Sequence, residues 1–275
     1  MENGASDAFQ AAVDRLMKQW PSSTRSTIIN TARTRTHVID RPGHGAPLVL
    51  LPGGGATAAS WAAVASRIGD RRLLALDIPG DAGKSELVDG KLTDGTQVHE
   101  WLDEVLEQLE VDEFDLAGHS FGGWLALSYT IARADRVRRL FLIAPSMCFA
   151  SLSPRYVTHA LPLLVRPSSR AARRLIAWES AGCNPKSSSL DVYAAAADRR
   201  WGGLLRPTKP SPSVLSGVST PVDLVLAGRD RSHKNVQCER NARKHLSKVT
   251  VTTVDGASHH SVLDRGAERI AELLQ

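Results

Sequence analysis

A single serine stands between glycines at a point where an apolar run gives way to a helical pattern. The stretch FDLAG (114–118) is typical of a buried strand, and Ser120 follows it within GHSFGG. Glycine suits neither a strand nor a helix, so Gly118 and Gly122 indicate a sharp turn that exposes the serine hydroxyl. Such a hydroxyl becomes a strong nucleophile when a base removes its proton and donors stabilise the anion that forms. The pattern favours nucleophilic catalysis by Ser120, and the alternative is a glycine-rich turn with an incidental serine.

The elements that must position Ser120 are apolar runs that alternate with helical patterns. We expect helices near residues 8–20, 98–109, 235–246 and 261–274, where apolar residues recur at helical spacing. Two strands are expected near 26–31 and 36–40, with the turn RPGHGAP after them, and further apolar runs are LVLL (48–51), LLALDI (73–78), VRRLFLIAP (137–145), VDLVLAG (222–228) and VTVTTV (249–254). This alternation predicts an α/β fold, with a mostly parallel, doubly wound sheet and helices on both faces.

The segment 146–215 interrupts this alternation, because it has no convincing strand. It holds short helical pieces such as SRAARRLIAW and LDVYAAAADRRW, and it is too long for a simple connection. We expect it to be an inserted helical lid above Ser120, with residues 1–145 and 216–275 as the core. Four large side chains of the insertion are candidates for the walls of the pocket: Met147, Phe149, Trp178 and Trp201.

Placed between a strand and a helix, GHSFGG resembles the nucleophile elbow of the α/β-hydrolase superfamily, and the resemblance extends from about Thr36 to the last residue. It implies a catalytic triad in the chain order serine, acid, histidine, with no metal or organic cofactor. A serine nucleophile also argues against haloalkane dehalogenase or epoxide hydrolase chemistry, since those relatives use an aspartate.

The resemblance also indicates where the acid and the base of the triad lie. Asp230 follows the next-to-last strand and fits the acid, whereas Asp223 begins that strand and lies at the wrong end. The family spacing G-x-x-H selects His259 as the base through Gly256, and His260 is the alternative. We interpret Asp77, after an earlier strand, as structural.

The loop LLPGGGATAASW resembles the oxyanion loop of the family. There, two backbone N–H groups stabilise the negative charge of the reaction intermediate, and in this chain they belong to Gly54 and Phe121. The family often has histidine where Pro52 stands, and backbone donors make that change tolerable.

The charge of the chain is concentrated in the insertion. The net charge is +5, but residues 146–214 carry ten basic and three acidic residues, a net +7 that leaves −2 elsewhere. These arginines either form a solvated face or attract an anionic substrate or an acidic partner, such as a carrier protein that bears an acyl group.

Other classes of partner and location find little support. No nucleic-acid-binding motif and no membrane-spanning stretch is evident, so neither nucleic acid nor membrane is an expected partner. The first residues, MENGASDAFQ, do not resemble a secretory signal, and the three cysteines are far apart, which favours a cytoplasmic location. The oligomeric state cannot be inferred from the sequence.

The expected activity is hydrolysis of an acyl bond through an acyl-serine intermediate, with a carboxylesterase as the first hypothesis. A thioesterase, a lactonase or a carbon–carbon bond hydrolase acting on a small molecule would use the same triad. A ligand receptor, or another non-hydrolytic protein that retains the triad, is the alternative from a different class.

Overall fold

A nine-stranded sheet forms the centre of the protein. The computed structural model describes residues 2–88, 92, 94–180, 187–198 and 205–275, and every statement below concerns these residues. The strands, in chain order, are β1 (Arg25–Asn30), β2 (Thr34–Arg41), β3 (His44–Leu51), β4 (Arg71–Leu76), β5 (Glu86–Leu87), β6 (Phe114–His119), β7 (Val137–Ile143), β8 (Val222–Ala227) and β9 (Val249–Val254).

The spatial order of the strands is β1-β2-β4-β3-β6-β7-β8-β9, and the short β5 pairs with β2. Strands β3, β4, β6, β7, β8 and β9 are mutually parallel, whereas β1, β2 and β5 pair in antiparallel fashion. Parallel neighbours point their carboxyl ends to the same edge of the sheet, so the loops after β3, β6, β8 and β9 meet there.

Helices cover both faces of the sheet. In chain order they are α1 (Glu2–Met17), α2 (Ala62–Ala65) after a short 3₁₀ turn, α3 (Gly95–Gln108), α4 (Phe121–Ala132), α5 (Pro154–Val165), α6 (Ser169–Glu179), α7 (Ser188–Ala196), α8 (Pro212–Ser216), α9 (Asn235–His245), α10 (Val262–Arg265) and α11 (Ala267–Leu273).

Successive residues of the central strands pack on opposite faces, as the two-residue repeat of a strand requires. In β3, Val49 and Leu51 join the core that α3, α4 and α9 cover, and Leu48 and Leu50 join the core under α1, α2, α10 and α11. All four side chains are buried, because each face of the sheet carries a helical layer. The expected doubly wound α/β architecture is confirmed.

Among the described residues between β7 and β8 there are four helices, α5 to α8. The first three of them pack in sequence, α5 on α6 and α6 on α7, and α7 also contacts α1. The amide of Ser153 donates to the carbonyl oxygen of Ser232 (2.7 Å), and Arg231 donates to the carbonyl oxygen of Trp178 (2.7 Å), so this segment is joined to the loop after β8. The division into core and lid stays a prediction.

Several boundaries differ from those expected. Strand β3 begins at His44, so the turn expected over RPGHGAP is reduced to Pro42 and Gly43. The last expected helix is divided into α10 and α11 at Gly266, where a Cβ would lie 2.7 Å from the carbonyl oxygen of Val262. None of the helices among the described residues is long and apolar enough to span a bilayer.

Candidate active site

Ser120 occupies the turn between β6 and α4, where the sequence predicts the nucleophile elbow. Its backbone has φ 51° and ψ −111°, in the left-handed half of conformational space that favours glycine. Backbone hydrogen bonds hold the turn. The amide of Ser120 donates to the carbonyl oxygen of Ile143 (3.0 Å), and its own carbonyl oxygen accepts from the amides of Trp124 and Ser146 (3.1 Å each). The Ser120 side chain is therefore presented at the carboxyl edge of the sheet.

The glycines around Ser120 permit a close approach of three chain segments. A Cβ on Gly118 would lie 2.2 Å from the carbonyl oxygen of Gly122, and one on Gly122 would lie 2.4 Å from that of Pro52. Both distances are too short for non-bonded atoms, so these positions exclude a side chain. The glycines thus let the elbow close and bring it against the loop after β3.

Ser120, His259 and Asp230 form a continuous chain of hydrogen bonds. The Ser120 hydroxyl lies 2.7 Å from Nε2 of His259, and Nδ1 of His259 lies 2.8 Å from Oδ2 of Asp230. A carboxylate can only accept, so His259 donates through Nδ1 and its Nε2 is free to accept the serine proton. The structure brings together the three residues that the sequence predicts as nucleophile, base and acid.

The surroundings of this chain favour an ionised acid and a basic histidine. Burial raises the pKa of Asp230, but the His259 ring, and after it His233 and the Ser232 side chain, hold it below its usual range. The Ser232 amide also donates to Oδ1 at 2.6 Å. Burial lowers the pKa of His259, but the carboxylate of Asp230, and more weakly that of Glu179, raises it above its usual range. Asp230 is therefore ionised beside His259, and its negative charge increases the proton affinity of the ring.

Two backbone N–H groups lie next to Ser120: that of Gly54, in the loop after β3, and that of Phe121, at the start of α4. A Cβ on Gly54 would lie 3.5 Å from Cβ of Phe121, so these two residues are neighbours in space. No hydrogen bond within the described part of the chain uses the N–H of either residue. Such unpaired donors, with Phe121 at the start of α4, suit the stabilisation of a negatively charged oxygen.

Asp81, which the sequence analysis does not single out, fixes this glycine loop. Its two carboxylate oxygens both accept from the amide of Gly55 at 3.0 Å, and Oδ1 also accepts from its own neighbour Ala82 at 2.7 Å. Burial raises the pKa of Asp81 to about 7, although these two amides act to lower it. The Gly55 contact orients the residue next to Gly54, so Asp81 supports the geometry of the two donors.

His119 packs beside His259 and holds its backbone. Its Nε2 donates to the backbone carbonyl oxygen of His259 at 3.0 Å, and its ring lies 5.5 Å from the His259 ring. Burial lowers the pKa of His119 to about 3, so its ring is neutral at ordinary pH. These contacts give His119 a structural role beside His259.

His260 lies beside His259 but makes a different set of contacts. Its Nδ1 donates to Oε2 of Glu179 at 2.5 Å, and its ring packs against that of Tyr193 at 4.7 Å. Glu179 ends α6 and is buried, and its second oxygen, Oε1, has no hydrogen-bond partner among the described residues. The histidine that bonds to Ser120 is His259, and His260 forms a second acid–histidine pair next to it.

A small pocket opens beside Ser120, with walls that differ from those expected. Apart from Gly54, His119, Ser120, His259 and His260, its lining is Gly53, Ala56, Ser60, Ser189, Leu190, Tyr193 and Leu263. None of the expected wall residues among the described ones, Met147, Phe149 and Trp178, lines it. Phe149 is buried in the core, and Trp178 stacks on His159 at 4.0 Å. Trp201 lies outside the described residues.

Two other aspartates of the sequence analysis lie away from Ser120. Asp77 accepts from the amides of Ala58 (2.6 Å) and Lys84 (2.9 Å), and it therefore joins the loops after β3 and β4. Asp223 lies at the start of β8 and accepts from Arg139 at 2.7 Å.

Potential metal ligands also gather at the site. Among the described residues, Glu179, Asp230 and His259 each offer one ligand atom, and these atoms lie within 4.8 Å of one another. Both ring nitrogens of His259 already make hydrogen bonds, to Ser120 and to Asp230. A cation bound through His259 would therefore displace one of these bonds, and the donor set fits an acid–base relay better than a metal centre.

The shifted pKa of His259 predicts an alkaline pH profile. His259 must be neutral to accept the serine proton, so kcat/KM should rise with pH, with a midpoint above about 6.5, the usual pKa of histidine. Glu179→Gln removes one of the charges that raise this pKa and should move the midpoint to lower pH. The exposed Glu107→Gln is the matched control. Equal midpoints for all three proteins would show that Glu179 does not act on His259.

With this geometry in place, comparisons with known proteins define the class. Residues 48–273 match the model of the alpha/beta hydrolase family. The chain belongs to the alpha/beta hydrolase family. It is 30% identical over 262 residues to "Carboxylesterase YbfK" of Bacillus subtilis (strain 168), an alignment that covers 91% of this chain and 87% of the relative.

Two further relatives show the range of the family. The fold is similar to that of naproxen esterase (carboxylesterase NP) from Bacillus subtilis, with a TM-score of 0.88 and 20% identity over 98% of each chain. The chain is also 32% identical over 130 residues to a 2-hydroxymuconate semialdehyde hydrolase of Pseudomonas sp. (strain CF600), which covers 45% of this chain and 44% of that relative.

Proposed function

We propose that the protein hydrolyses carboxylic esters through an acyl-serine intermediate on Ser120. The observation that carries this proposal is the relay from Ser120 through His259 to Asp230, with bonds of 2.7 and 2.8 Å. The chain belongs to the alpha/beta hydrolase family, and its elbow carries a serine. It is similar along nearly its whole length to a protein named carboxylesterase, which supports an ester as the bond that is cleaved.

The contacts support an acyl transfer in two halves. His259 Nε2 takes the Ser120 proton as Oγ attacks the ester carbonyl carbon, and the N–H groups of Gly54 and Phe121 stabilise the oxyanion. The oxyanion collapses, the carbon–oxygen bond to the alcohol breaks, and His259 returns its proton to the departing alcohol. A water molecule then attacks the acyl-serine with the same base, and the carboxylic acid and free Ser120 result. Asp230 stabilises the positive charge that His259 carries in each half.

In this proposal, helices α5, α6 and α7 border the space in which the substrate reacts. Tyr156 of α5 has its ring 6.4 Å from that of His259, and Tyr193 of α7 lines the pocket. These contacts support a lid that borders the substrate, which is a small acyl compound. An anionic or carrier-bound substrate is an alternative that the charge of the sequence raises, and a cytoplasmic location is a prediction from the sequence.

A covalent probe tests the proposal directly. A fluorophosphonate should react with the Ser120 oxygen, release fluoride and add one phosphonyl group per chain, as located by peptide mass spectrometry. A panel of simple esters, thioesters, lactones and dienoic carbon–carbon substrates should then show the highest kcat/KM for an ester. Modification of a different serine, or binding of the panel without any turnover, would favour a receptor or another non-hydrolytic role.

A further inference from the structure

The helix α5 exposes a stripe of aliphatic side chains to solvent. Val157, Leu161, Leu164 and Val165 are 41%, 50%, 68% and 74% exposed, and their spacing of four, seven and eight residues places them on one side of the helix. They are four of the nine large apolar residues that are strongly exposed among those the structure describes. Such a concentration on one short helix indicates a surface that contacts another molecule or a membrane.

The opposite side of α5 faces the candidate active site. Ala160 is buried and Tyr156 and Leu163 are half-buried, which defines the inner face of the helix. The Tyr156 ring lies 6.4 Å from the His259 ring and 6.3 Å from Trp178. The apolar stripe therefore lies on the outer side of the helix that borders the base.

The charges around the stripe are almost entirely positive. Residues 154–179, which span α5 and α6, carry five arginines and one acidic residue, Glu179, which is buried. The arginines are all exposed, and within the described part of the chain only one of them pairs with a carboxylate, Arg173 with Asp191 at 3.1 Å; the five are Arg155, Arg166, Arg170, Arg173 and Arg174. A partner that binds the stripe must therefore lie next to this positive charge, which favours a negatively charged partner.

We propose that α5 docks the protein on an anionic lipid surface, with the aliphatic stripe in the interface and the arginines at the headgroups. Exposed aliphatic side chains with basic residues beside them are the two features by which surface helices bind the bilayer interface. Here the stripe lies on α5, and three of the five arginines lie on α6, which packs against it. A second copy of this chain fits less well, because its own arginines would face those of the first. The contact is peripheral, and it departs from the expectation that the protein has no membrane partner.

The docking has a consequence for access to Ser120. An ester that partitions into the lipid surface would reach α5 and the pocket without first dissolving in bulk water. The lipid contact itself depends on the stripe and the arginines, and it is independent of the proposed hydrolysis. The two proposals can therefore fail separately.

Co-sedimentation with vesicles tests the contact, with Ser120→Ala in every protein so that the lipid stays intact. The probes are vesicles of phosphatidylcholine with and without phosphatidylglycerol. We expect binding to be about tenfold or more stronger with phosphatidylglycerol, since each basic residue adds about 1 kcal/mol at such a surface. Leu161→Ser with Leu164→Ser should reduce binding by about tenfold or more, because two apolar side chains leave the interface. Arg170→Glu with Arg174→Glu should remove the preference for phosphatidylglycerol.

Val88→Ser is the matched control, because Val88 is 53% exposed and lies beside β5. It should bind as the parent does. Unchanged thermal unfolding of the α5 variant would show that its fold is intact, which its exposed positions favour. Absence of binding to either vesicle, or equal binding by parent and α5 variant, would overturn the proposal. A dimer in sedimentation velocity that the α5 variant abolishes would also overturn it and assign the stripe to a second copy.

Discussion

Ser120→Ala is expected to lower kcat on an ester by about a millionfold, which is the scale of loss when a serine nucleophile is removed from a triad. The substitution removes the oxygen that attacks the carbonyl carbon and leaves His259 with no proton to accept. The backbone donors of Gly54 and Phe121 stay in place, so a residual rate above that in water should remain. Initial rates at saturating ester, with active-site titration of the parent protein, measure the difference.

Ser146→Ala is the matched control for this change. The Ser146 hydroxyl lies 3.1 Å from that of Ser120, so it is the same residue type in the same surroundings. It makes no bond to His259 among the described contacts, and its loss should change kcat by less than about tenfold, as expected for one neutral hydrogen bond. A Ser120→Ala protein that keeps a hundredth or more of the parent rate would remove Ser120 from the role of nucleophile.

His259→Ala should reduce kcat on a scale similar to that of Ser120→Ala, because the members of a triad act as a unit. The physical reason is the 2.7 Å bond between Nε2 and the serine hydroxyl, without which the hydroxyl stays protonated. Added imidazole should restore part of the rate, since it has the same ring nitrogens and can occupy the space beside Asp230 that the side chain leaves.

His260→Ala separates the two neighbouring histidines. It leaves the relay intact but deprives the buried Glu179 carboxylate of its partner, so it should destabilise the fold by about 3–5 kcal/mol while kcat of the folded protein stays within about tenfold. Thermal unfolding and rates corrected for the folded fraction measure both effects. If His260→Ala were the more damaging change to kcat and imidazole rescued it instead, the base would be His260.

The sequence predicts the central strands well, for reasons that lie in local chemistry, and the structure brings its candidate site residues together. Runs such as LVLL and VDLVLAG are apolar on both faces because helices cover both faces, so each is recognisable from its own residues. Ser120 and His259 stand at the ends of such strands, and in a parallel sheet these ends meet without further information. The choice of His259 as the partner of Ser120, 139 positions away, comes from the resemblance to the α/β-hydrolase superfamily, and the structure places the two side chains 2.7 Å apart.

The residues that surround the relay are less visible in the sequence. Glu179 ends an arginine-rich amphipathic helix and has the pattern of a solvated residue, yet packing of α6 on its neighbours buries it. Asp81 has an ordinary turn sequence, and its bond to Gly55 depends on the meeting of two distant loops. The sequence does not mark helix α5, because Pro162 lies inside it. Only Ala160 of the helix is buried, so its apolar residues do not define one inward face.

The backbone of Ser120 sets stability against activity at this one position. A residue with a side chain adopts φ 51° and ψ −111° at a penalty of about 1–3 kcal/mol, whereas glycine adopts it freely. Mutation to glycine would therefore relieve the strain and remove the reactive oxygen in a single step. Glycine would be the more stable choice at this position, so the serine costs stability that its proposed role as nucleophile accounts for. A laboratory campaign that screens this chain for heat resistance should hold position 120 fixed.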